Sequence, residues 1–327
     1  MKVLLVRLSA LGDVVMTLPL ANDLARAGHE VHWLVNAAYA PLVGCSAAVA
    51  RVWPWHGLAG APALLRALRS ASFDAVLDAQ GLWKAALPAK LAGGRKLVGL
   101  TLTREPVAWL YDERVPAAGW GEHALLRYRR LGASLSAAAG DAPTYGITGA
   151  DRGAVQEKLA ALCPGSGPLV VANPNARWQS KRWPDAHWRA LLQGLPAARR
   201  LLIGTAGERA AMEAIAGGVP GVVNAAGAFD LPELWTVLGL ADAVVTTDSA
   251  AQHLAAAQDR PLVVLFGPTD PQRTGPGPYA TRARVLRAPD GFCPEQPCLR
   301  RVCPASRCLG AIEVATALRA VKTALGK

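Results

Sequence analysis

Apolar residues in this chain gather in short runs that halt at polar or glycine-rich junctions, and segments of helical spacing separate the runs. "KVLLVRL" (2–8) is the first; it stops at "SALGD", after which an apolar helical pattern continues to Gly28. "EVHWLVN" (30–36) and "FDAVLDAQG" (73–81) repeat the theme, the latter followed by "LWKAALPAKLAGG", a helix closed by Gly93-Gly94. "KLVGLTL" reads as the next strand and "HALLRYRRLGASL" (123–135) as one helix. Strands alternating with helices predict βαβ units and a parallel sheet, because parallel neighbours need a helix-length crossover.

The pattern lapses at "SAAAGDAPTYGITGADRG" (136–153), rich in Ala, Gly and polar residues and the best linker in the chain. Alternation then restarts: "PLVVANPNA", "DAHWRALLQGL", "RRLLIGTAG", "ERAAMEAIAG", "GVVNAAG", "DLPELWTVLGLA". The expectation is two α/β domains, 1–155 and 156–327. Ligands of open parallel sheets bind outside the carboxyl ends of the strands. Asp13, Asp78, Asn173, Gly204 and Asp248 all lie at or just past predicted strand ends. Two such domains facing each other would enclose a cleft, a common ligand site.

Three junctions carry candidate chemistry. "VVTTDSAAQHLAAAQDRPLVVLFGPTDP" (244–271) opens as a buried strand, halts at Thr-Thr-Asp-Ser and enters a small-residue helix containing His253. An ordinary N-cap explains Asp248 and Ser249, but backbone N–H groups at such a helix start also suit a phosphate. "NPNARWQSKRWP" (173–184) places Arg177, Lys181 and Arg182 after a strand, either as a solvated loop or as cations reaching a diphosphate. "RLSALGDVVMTLPL" (7–20) lacks the GxGxxG dinucleotide fingerprint and sets Asp13 at the mouth of the first strand, as a helix cap or as a reactive carboxylate.

Composition narrows the choices only a little. The net charge of +11 is spread, with 15 basic against 10 acidic residues in 1–150 and 20 against 14 in 151–327. It suits an acidic small molecule, an anionic membrane surface or nucleic acid, but the basic residues form no stripe interleaved with aromatics, which disfavours nucleic acid. No run reaches ~18 apolar residues, so no membrane-spanning helix is expected. Arg7 and Asp13 interrupt the N-terminal apolar run and no small-residue cleavage site follows, so a cytoplasmic protein is expected. Cys293, Cys298, Cys303 and Cys308 are each five apart, unlike the usual C-x2-C pairs of zinc knuckles. They are read as reduced thiols, with no metal and no cofactor expected.

Nine segments taken together resemble one family: "RLSALGDVVMTLP", "DAQGLWKAAL", "REPVAWLYD", "EHALLRYRRL", "PNARWQSKRWP", "GTAGER", "TTDSAAQHLAAA", "LFGPTDP" and "CPEQPCLRRVCPASRCL". Their order is that of bacterial ADP-heptose:lipopolysaccharide heptosyltransferases, glycosyltransferase family 9, with "DAQGL-K" and "REP" most similar to the heptosyltransferase I branch. The resemblance implies an α/β protein of GT-B architecture, two Rossmann-like domains facing across a cleft, with acceptor binding in the first and nucleotide-sugar binding in the second. It implies inverting, metal-independent transfer of a heptose from ADP-heptose to a Kdo-lipid A type acceptor, by an enzyme peripheral to the cytoplasmic face of the inner membrane. Asp13 then matches the general base and Lys181 the cation facing the departing diphosphate. Glu208 matches a ribose-binding acid; Asp248, Ser249, Ala250 and His253 match the diphosphate-binding turn and helix; Lys84 and Arg104 match cations for the anionic acceptor.

Three positions depart from the family pattern, one of them Asn36, which follows "WLV" where an acid is frequent. Ala250 stands where Gly is usual, which matters if φ is positive there, and Asn175 stands where Gly is common, Asn being tolerant of left-handed backbone. The rival readings are a family relative using another nucleotide-sugar or acceptor and a non-catalytic nucleotide-sugar-binding protein, which has no need of Asp13 and Lys181 at one cleft.

Overall fold

The computed structural model describes residues 1–289, 291–303 and 307–326. The chain divides into two compact units, Met1–Thr148 and Gly149–Lys327.

In the first unit six strands, β1 (Lys2–Val6), β2 (Glu30–Asn36), β3 (Arg51–Trp55), β4 (Ala75–Asp78), β5 (Leu97–Leu100) and β6 (Glu113–Val115), form one parallel sheet of order β3-β2-β1-β4-β5-β6. Helices α1 (Leu11–Arg26), α2 (Ala40–Gly44), α3 (Ala61–Ser70), α4 (Trp83–Leu91) and α5 (Ala124–Arg129) connect and cover it. Central strands with helices on both faces are apolar throughout rather than alternating; hence Val3, Leu4, Leu5 and Val6 are all fully buried. One face of the sheet packs Leu4, Val6 and Val76 against Leu68 of α3 and Ala85, Ala86 and Ala89 of α4.

The second unit repeats the plan with β7 (Leu169–Asn173), β8 (Arg199–Leu202), β9 (Val222–Asn224), β10 (Ala243–Thr247), β11 (Leu262–Leu265) and β12 (Ala283–Leu286), in the order β12-β11-β10-β7-β8-β9. Its helices are α6 (Arg152–Leu162), α7 (Asp185–Gln193), α8 (Arg209–Ala216), α9 (Leu231–Leu240), α10 (Ala250–Ala256), α11 (Pro271–Thr274), α12 (Arg307–Gly310) and α13 (Val314–Ala324). Trp183 and Trp188 meet edge to face at 5.3 Å beneath the sheet, and the Trp183 indole N–H donates to the Ile312 carbonyl at 3.1 Å.

Both sheets therefore share the doubly wound Rossmann order, whose direction of winding reverses between the first and fourth strands of the unit. That point lies between β1 and β4 in one unit and between β7 and β10 in the other. The polar junctions read from the sequence, after Val6 and Asp78 and after Asn173 and Thr247, sit at the carboxyl ends of just these strands.

The structure departs from the sequence expectation in places with clear causes. The boundary expected at 155/156 falls inside α6. That helix belongs to the second unit, where Lys158 pairs with Glu233 of α9 at 2.7 Å and the Ala150 N–H donates to the Pro232 carbonyl. The helix expected over 123–135 is α-helical only to Arg129 and continues as a 3-10 turn over Arg130–Leu135. Gly132 presses on the returning chain there, with the Ala137 carbonyl 2.8 Å from where a Cβ would stand. Strand β3 went unread because Pro54 interrupts "RVWPW"; proline lacks a ladder donor and is tolerated because β3 is an edge strand.

Candidate functional site

In the first unit the site forms around Asp13. It lies at the third position of α1, and its Oδ2 accepts the Ala10 N–H at 3.3 Å, so the helix-capping reading holds. The carboxylate does more than cap. Arg7, one residue past β1, approaches Oδ1 to 2.7 Å, and the Tyr128 hydroxyl of α5 donates to the same oxygen at 2.8 Å. Arg7 stacks 4.5 Å over the Tyr128 ring and donates to the Ala79 carbonyl, which fixes it between β1 and β4. Burial works to raise the Asp13 carboxyl, but the Arg7 guanidinium, the Tyr128 hydroxyl and the Ala10 N–H outweigh it and hold the group below the usual carboxylate range. Burial, with Asp13 adding to it, pushes the Tyr128 phenol up to about 12. The result is an ionised carboxylate, held by three donors and still 30% exposed.

Around Asp13 the loops are tied together. Gln80 Oε1 accepts the N–H groups of Leu8 and Ser9, at 2.8 and 3.3 Å, while its Nε2 is buried with no hydrogen-bond partner among the described residues. Lys84 of α4 reaches Ser9 Oγ at 2.6 Å and so shares the rim of this site. Arg104 is exposed in the loop whose Glu105 carboxylate accepts the Trp83 N–H at the start of α4, at 2.6 Å. Asp78, the other acid at a strand end, is a structural group. It is 1% exposed and accepts from the Tyr111 hydroxyl (2.8 Å) and from the N–H groups of Gln80 and Gly81. Burial raises its carboxyl despite those donors.

In the second unit Lys181, Asp248, Ser249, Ala250 and His253 come together at the ends of β7 and β10. Lys181 ends the 3-10 turn Gln179–Lys181, lies 4.6 Å over the Trp178 ring and pairs with Asp248 Oδ2 at 2.5 Å. The Thr269 hydroxyl donates to the same oxygen at 2.5 Å and Gln252 Nε2 to Oδ1 at 2.7 Å. Ser249 is the N-cap residue of α10 yet makes no capping bond; its hydroxyl meets Thr246 Oγ1 at 2.9 Å and Asn173 Nδ2 at 3.2 Å. His253 is buried, with Nε2 3.4 Å from Gln252 Nε2. Glu208 stands apart, past β8: its Oε2 accepts the Thr205 N–H and hydroxyl, at 2.7 and 3.0 Å, closing a tight turn at the same edge of the sheet.

The departures from glycine noted in the sequence prove mild. Ala250 is the first residue of α10 and, like Asn175, is not among the non-glycine residues with positive φ, namely Ser72, Ser136, Asp259 and Leu299. Neither position requires the conformational freedom of glycine.

Several residues of these sites escaped the sequence reading: Arg7, Tyr128 and Gln80 around Asp13, and Gln252 and Thr269 around Asp248. The available signal was a lone cation or amide in an apolar element, as Arg7 after "KVLLV" and Gln252 in "AAQHLAAA". The cysteine-rich segment also gains a place. Leu299 N–H donates to the Pro268 carbonyl (3.0 Å) and Gln296 to the Gly267 carbonyl, while the Arg300 and Arg301 carbonyls accept from Ser180 Oγ and N–H. The segment thus braces both the Thr269 loop and the Lys181 turn. Cys293, Cys298 and Cys308 form no disulfide, and among the described residues no group of three or more His, Cys, Asp or Glu is arranged to hold a metal ion. Pro304, Ala305 and Ser306 of that segment lie outside the described residues.

Comparison with known proteins agrees with this arrangement. Residues 62–308 match the family model for glycosyltransferase family 9 (heptosyltransferase). Lipopolysaccharide heptosyltransferase 1 of Pseudomonas aeruginosa is 36% identical over 324 residues, covering 93% of this chain and 87% of that protein. Among solved structures, E. coli heptosyltransferase WaaC with ADP superposes with a TM-score of 0.79 at 29% identity, covering 99% of this chain and 100% of the other. The same enzyme with ADP-2-deoxy-2-fluoro heptose gives 0.76, covering 99% of each chain. With its paired doubly wound sheets and its polar sites at both switch points, the chain belongs to glycosyltransferase family 9, the heptosyltransferases.

Proposed function

We propose that this protein transfers L-glycero-D-manno-heptose from ADP-heptose to a Kdo residue of the lipopolysaccharide inner core, with inversion at the anomeric carbon and without a metal ion. The observation that carries the reading is Asp13: an ionised, partly exposed carboxylate at the switch point of the first unit, held by Arg7 and Tyr128. Inverting transfer needs a base that takes the acceptor hydroxyl proton as that oxygen attacks the anomeric carbon, opposite the departing diphosphate. ADP is already a good leaving group, so one carboxylate suffices.

The second unit supplies the donor side. The relatives solved with ADP and with ADP-2-deoxy-2-fluoro heptose support an ADP-sugar donor, and the cluster of Lys181 and Asp248 at the ends of β7 and β10 is the reason for assigning it here. Lys181 neutralises charge that builds on the β-phosphate as the glycosidic bond breaks, the work a metal ion does in other sugar-nucleotide enzymes. Its partner Asp248 holds it in place in the free enzyme. The start of α10, left uncapped by Ser249, directs N–H groups to the same anion, with His253 behind it. Glu208 Oε1 takes the ribose hydroxyls, since both bonds of its turn use Oε2. Lys84 and Arg104 bind the acceptor carboxylates.

Among the described residues no helix is long and apolar enough to cross a membrane, and the net charge of +11 favours reversible attachment to an anionic bilayer at the cytoplasmic face of the inner membrane. The test is a donor panel of ADP-heptose and UDP- and GDP-sugars against Kdo-bearing acceptors, read as nucleotide release. Release specific to ADP-heptose and dependent on a Kdo acceptor supports the reading. Tight nucleotide-sugar binding with no turnover on any acceptor would favour a binding protein instead.

A further inference from the structure

Helix α4 inverts the usual arrangement of a surface helix. Its inward residues are small, Ala85, Ala86, Pro88 and Ala89, and all are buried. Its outward residues include two large apolar side chains, Trp83 and Leu87, 42% and 50% exposed. They stand one turn apart on the face that also carries Lys84 and Lys90. Trp109, 66% exposed, packs edge to face on Trp83 with ring centroids 6.1 Å apart. No core contact explains this, because the sheet beneath is already covered by the alanines. An exposed cluster of this kind marks an interaction site.

The surrounding chemistry selects the partner. Arg69 of α3 is tied to the end of α4 through the Leu91 carbonyl at 2.8 Å, while Lys90 is partnered by Asp112 at 3.1 Å, so Lys84, Arg69 and Arg104 carry the positive charge of this surface. Arg104 is exposed in the loop that caps α4 through Glu105. Indole rings flanked by Lys and Arg suit the headgroup level of an anionic bilayer, where an amphipathic ring has one side in acyl chains and one in water. A second copy of the chain fits poorly, since the first unit alone carries 15 basic against 10 acidic residues and its cations would face one another.

We propose that Trp83, Leu87 and Trp109, flanked by Lys84 and Arg69, form the surface by which the protein docks on an anionic phospholipid bilayer, with α4 lying against the interface. The inference rests on the proposed action at a lipid-linked acceptor, and it deepens that reading by naming the surface. Lys84 reaches Ser9, three residues before α1's Gly12 and four before Asp13, so docking through this helix brings the lipid surface beside the acceptor site.

The experiment uses the full chain with Leu87 and Trp109 both replaced (Leu87→Ser, Trp109→Ser), two exposed positions outside the catalytic and binding groups. Sedimentation with vesicles of phosphatidylglycerol and phosphatidylcholine in equal parts, free of any acceptor, gives the partition coefficient. Turnover is measured in parallel on a water-soluble Kdo acceptor with ADP-heptose. Each methylene-sized group withdrawn from water shifts partition about fourfold, so the double variant should bind vesicles at least about tenfold more weakly. Its turnover on the soluble acceptor should stay within about twofold of wild type, because no group assigned to the chemistry is changed. Equal vesicle partition of variant and wild type would overturn the proposal, as would a wild type that ignores these vesicles or a concentration-dependent dimer lost in the variant. If instead the soluble acceptor is never glycosylated while vesicle binding behaves as expected, the proposed reaction fails and the docking surface stands.

Discussion

Asp13 is asked to be both a structural and a chemical group, and the two roles can be separated by measurement. Because Arg7 is buried and approaches Asp13 to 2.7 Å, Asp13→Asn does more than remove a helix cap: it leaves a buried guanidinium facing a neutral amide. Breaking one side of a buried pair costs about 3–5 kcal/mol, so the melting temperature should fall although Tyr128 and the Ala79 carbonyl still hold Arg7. Turnover per folded molecule should fall ~10²- to 10⁴-fold, the usual worth of a general base. A variant that is destabilised but keeps normal turnover would assign Asp13 to structure alone. The pH dependence follows from the same contacts. The folded carboxyl lies below its unfolded value of about 3.9. The stability it contributes is therefore complete above that value and is lost as pH falls through the folded one. Kinetically, the base stays ionised through the neutral range, so the acid limb of kcat attributable to Asp13 should lie below about pH 4, as a pH–rate profile will reveal. On the donor side, Lys181→Ala removes a charge-assisted contact worth about 1.5–3 kcal/mol and should weaken ADP-heptose binding at least about tenfold by calorimetry, with acceptor KM unchanged.

At the scale of elements, α1 is held to α5 by a pair unrelated to catalysis. Asp23 and Arg129, 1% and 3% exposed, form a bidentate bridge at 2.7 and 3.0 Å, and Arg129 also donates to the Gly140 carbonyl. Since α5 carries Tyr128 beside Arg129, this bridge sets the position of the phenol that holds Asp13. Asp23→Ala should cost about 3–5 kcal/mol of stability in denaturant unfolding. A loss under 1 kcal/mol would mean that α5 is positioned by its apolar contacts alone. The comparison of sequence with structure is most instructive here. Asp13 and Asp248 were legible because a polar residue just past a buried apolar run in a parallel sheet has few places to be except the carboxyl edge, whereas Lys181, in the longer loop after β7, was singled out by its charge and by the family resemblance. Tyr128 was not, because it lies 115 residues from Asp13 and sits in a helix that reads as ordinary; only the packing of α1 on α5 brings the two together. Thr269 was hidden in the same way, 21 residues from Asp248 on the next loop. Strand β3 was lost to Pro54, a local breaker that only its edge position tolerates, and the end of the 123–135 helix to the close approach of chain at Gly132, a tertiary effect without a local signature.

The whole molecule is two copies of one topology with divided chemistry. The same strand order presents a switch point in each unit, and the two hold different groups: a carboxylate, Asp13, beside Arg7 and Tyr128 in the first, and the Lys181–Asp248 pair in the second. On the proposed reading Asp13 serves as the base and Lys181 as the cation that meets the departing diphosphate, and neither role needs a metal. The most direct measurement is the anomeric configuration of the product. The wild-type protein is incubated with ADP-heptose and a Kdo-bearing acceptor in excess EDTA, and the new glycosidic linkage is assigned by NMR. The account predicts full transfer in the chelator and a linkage of configuration opposite to that of the donor. Retention of configuration, or activity that disappears with EDTA and returns with a divalent ion, would contradict it.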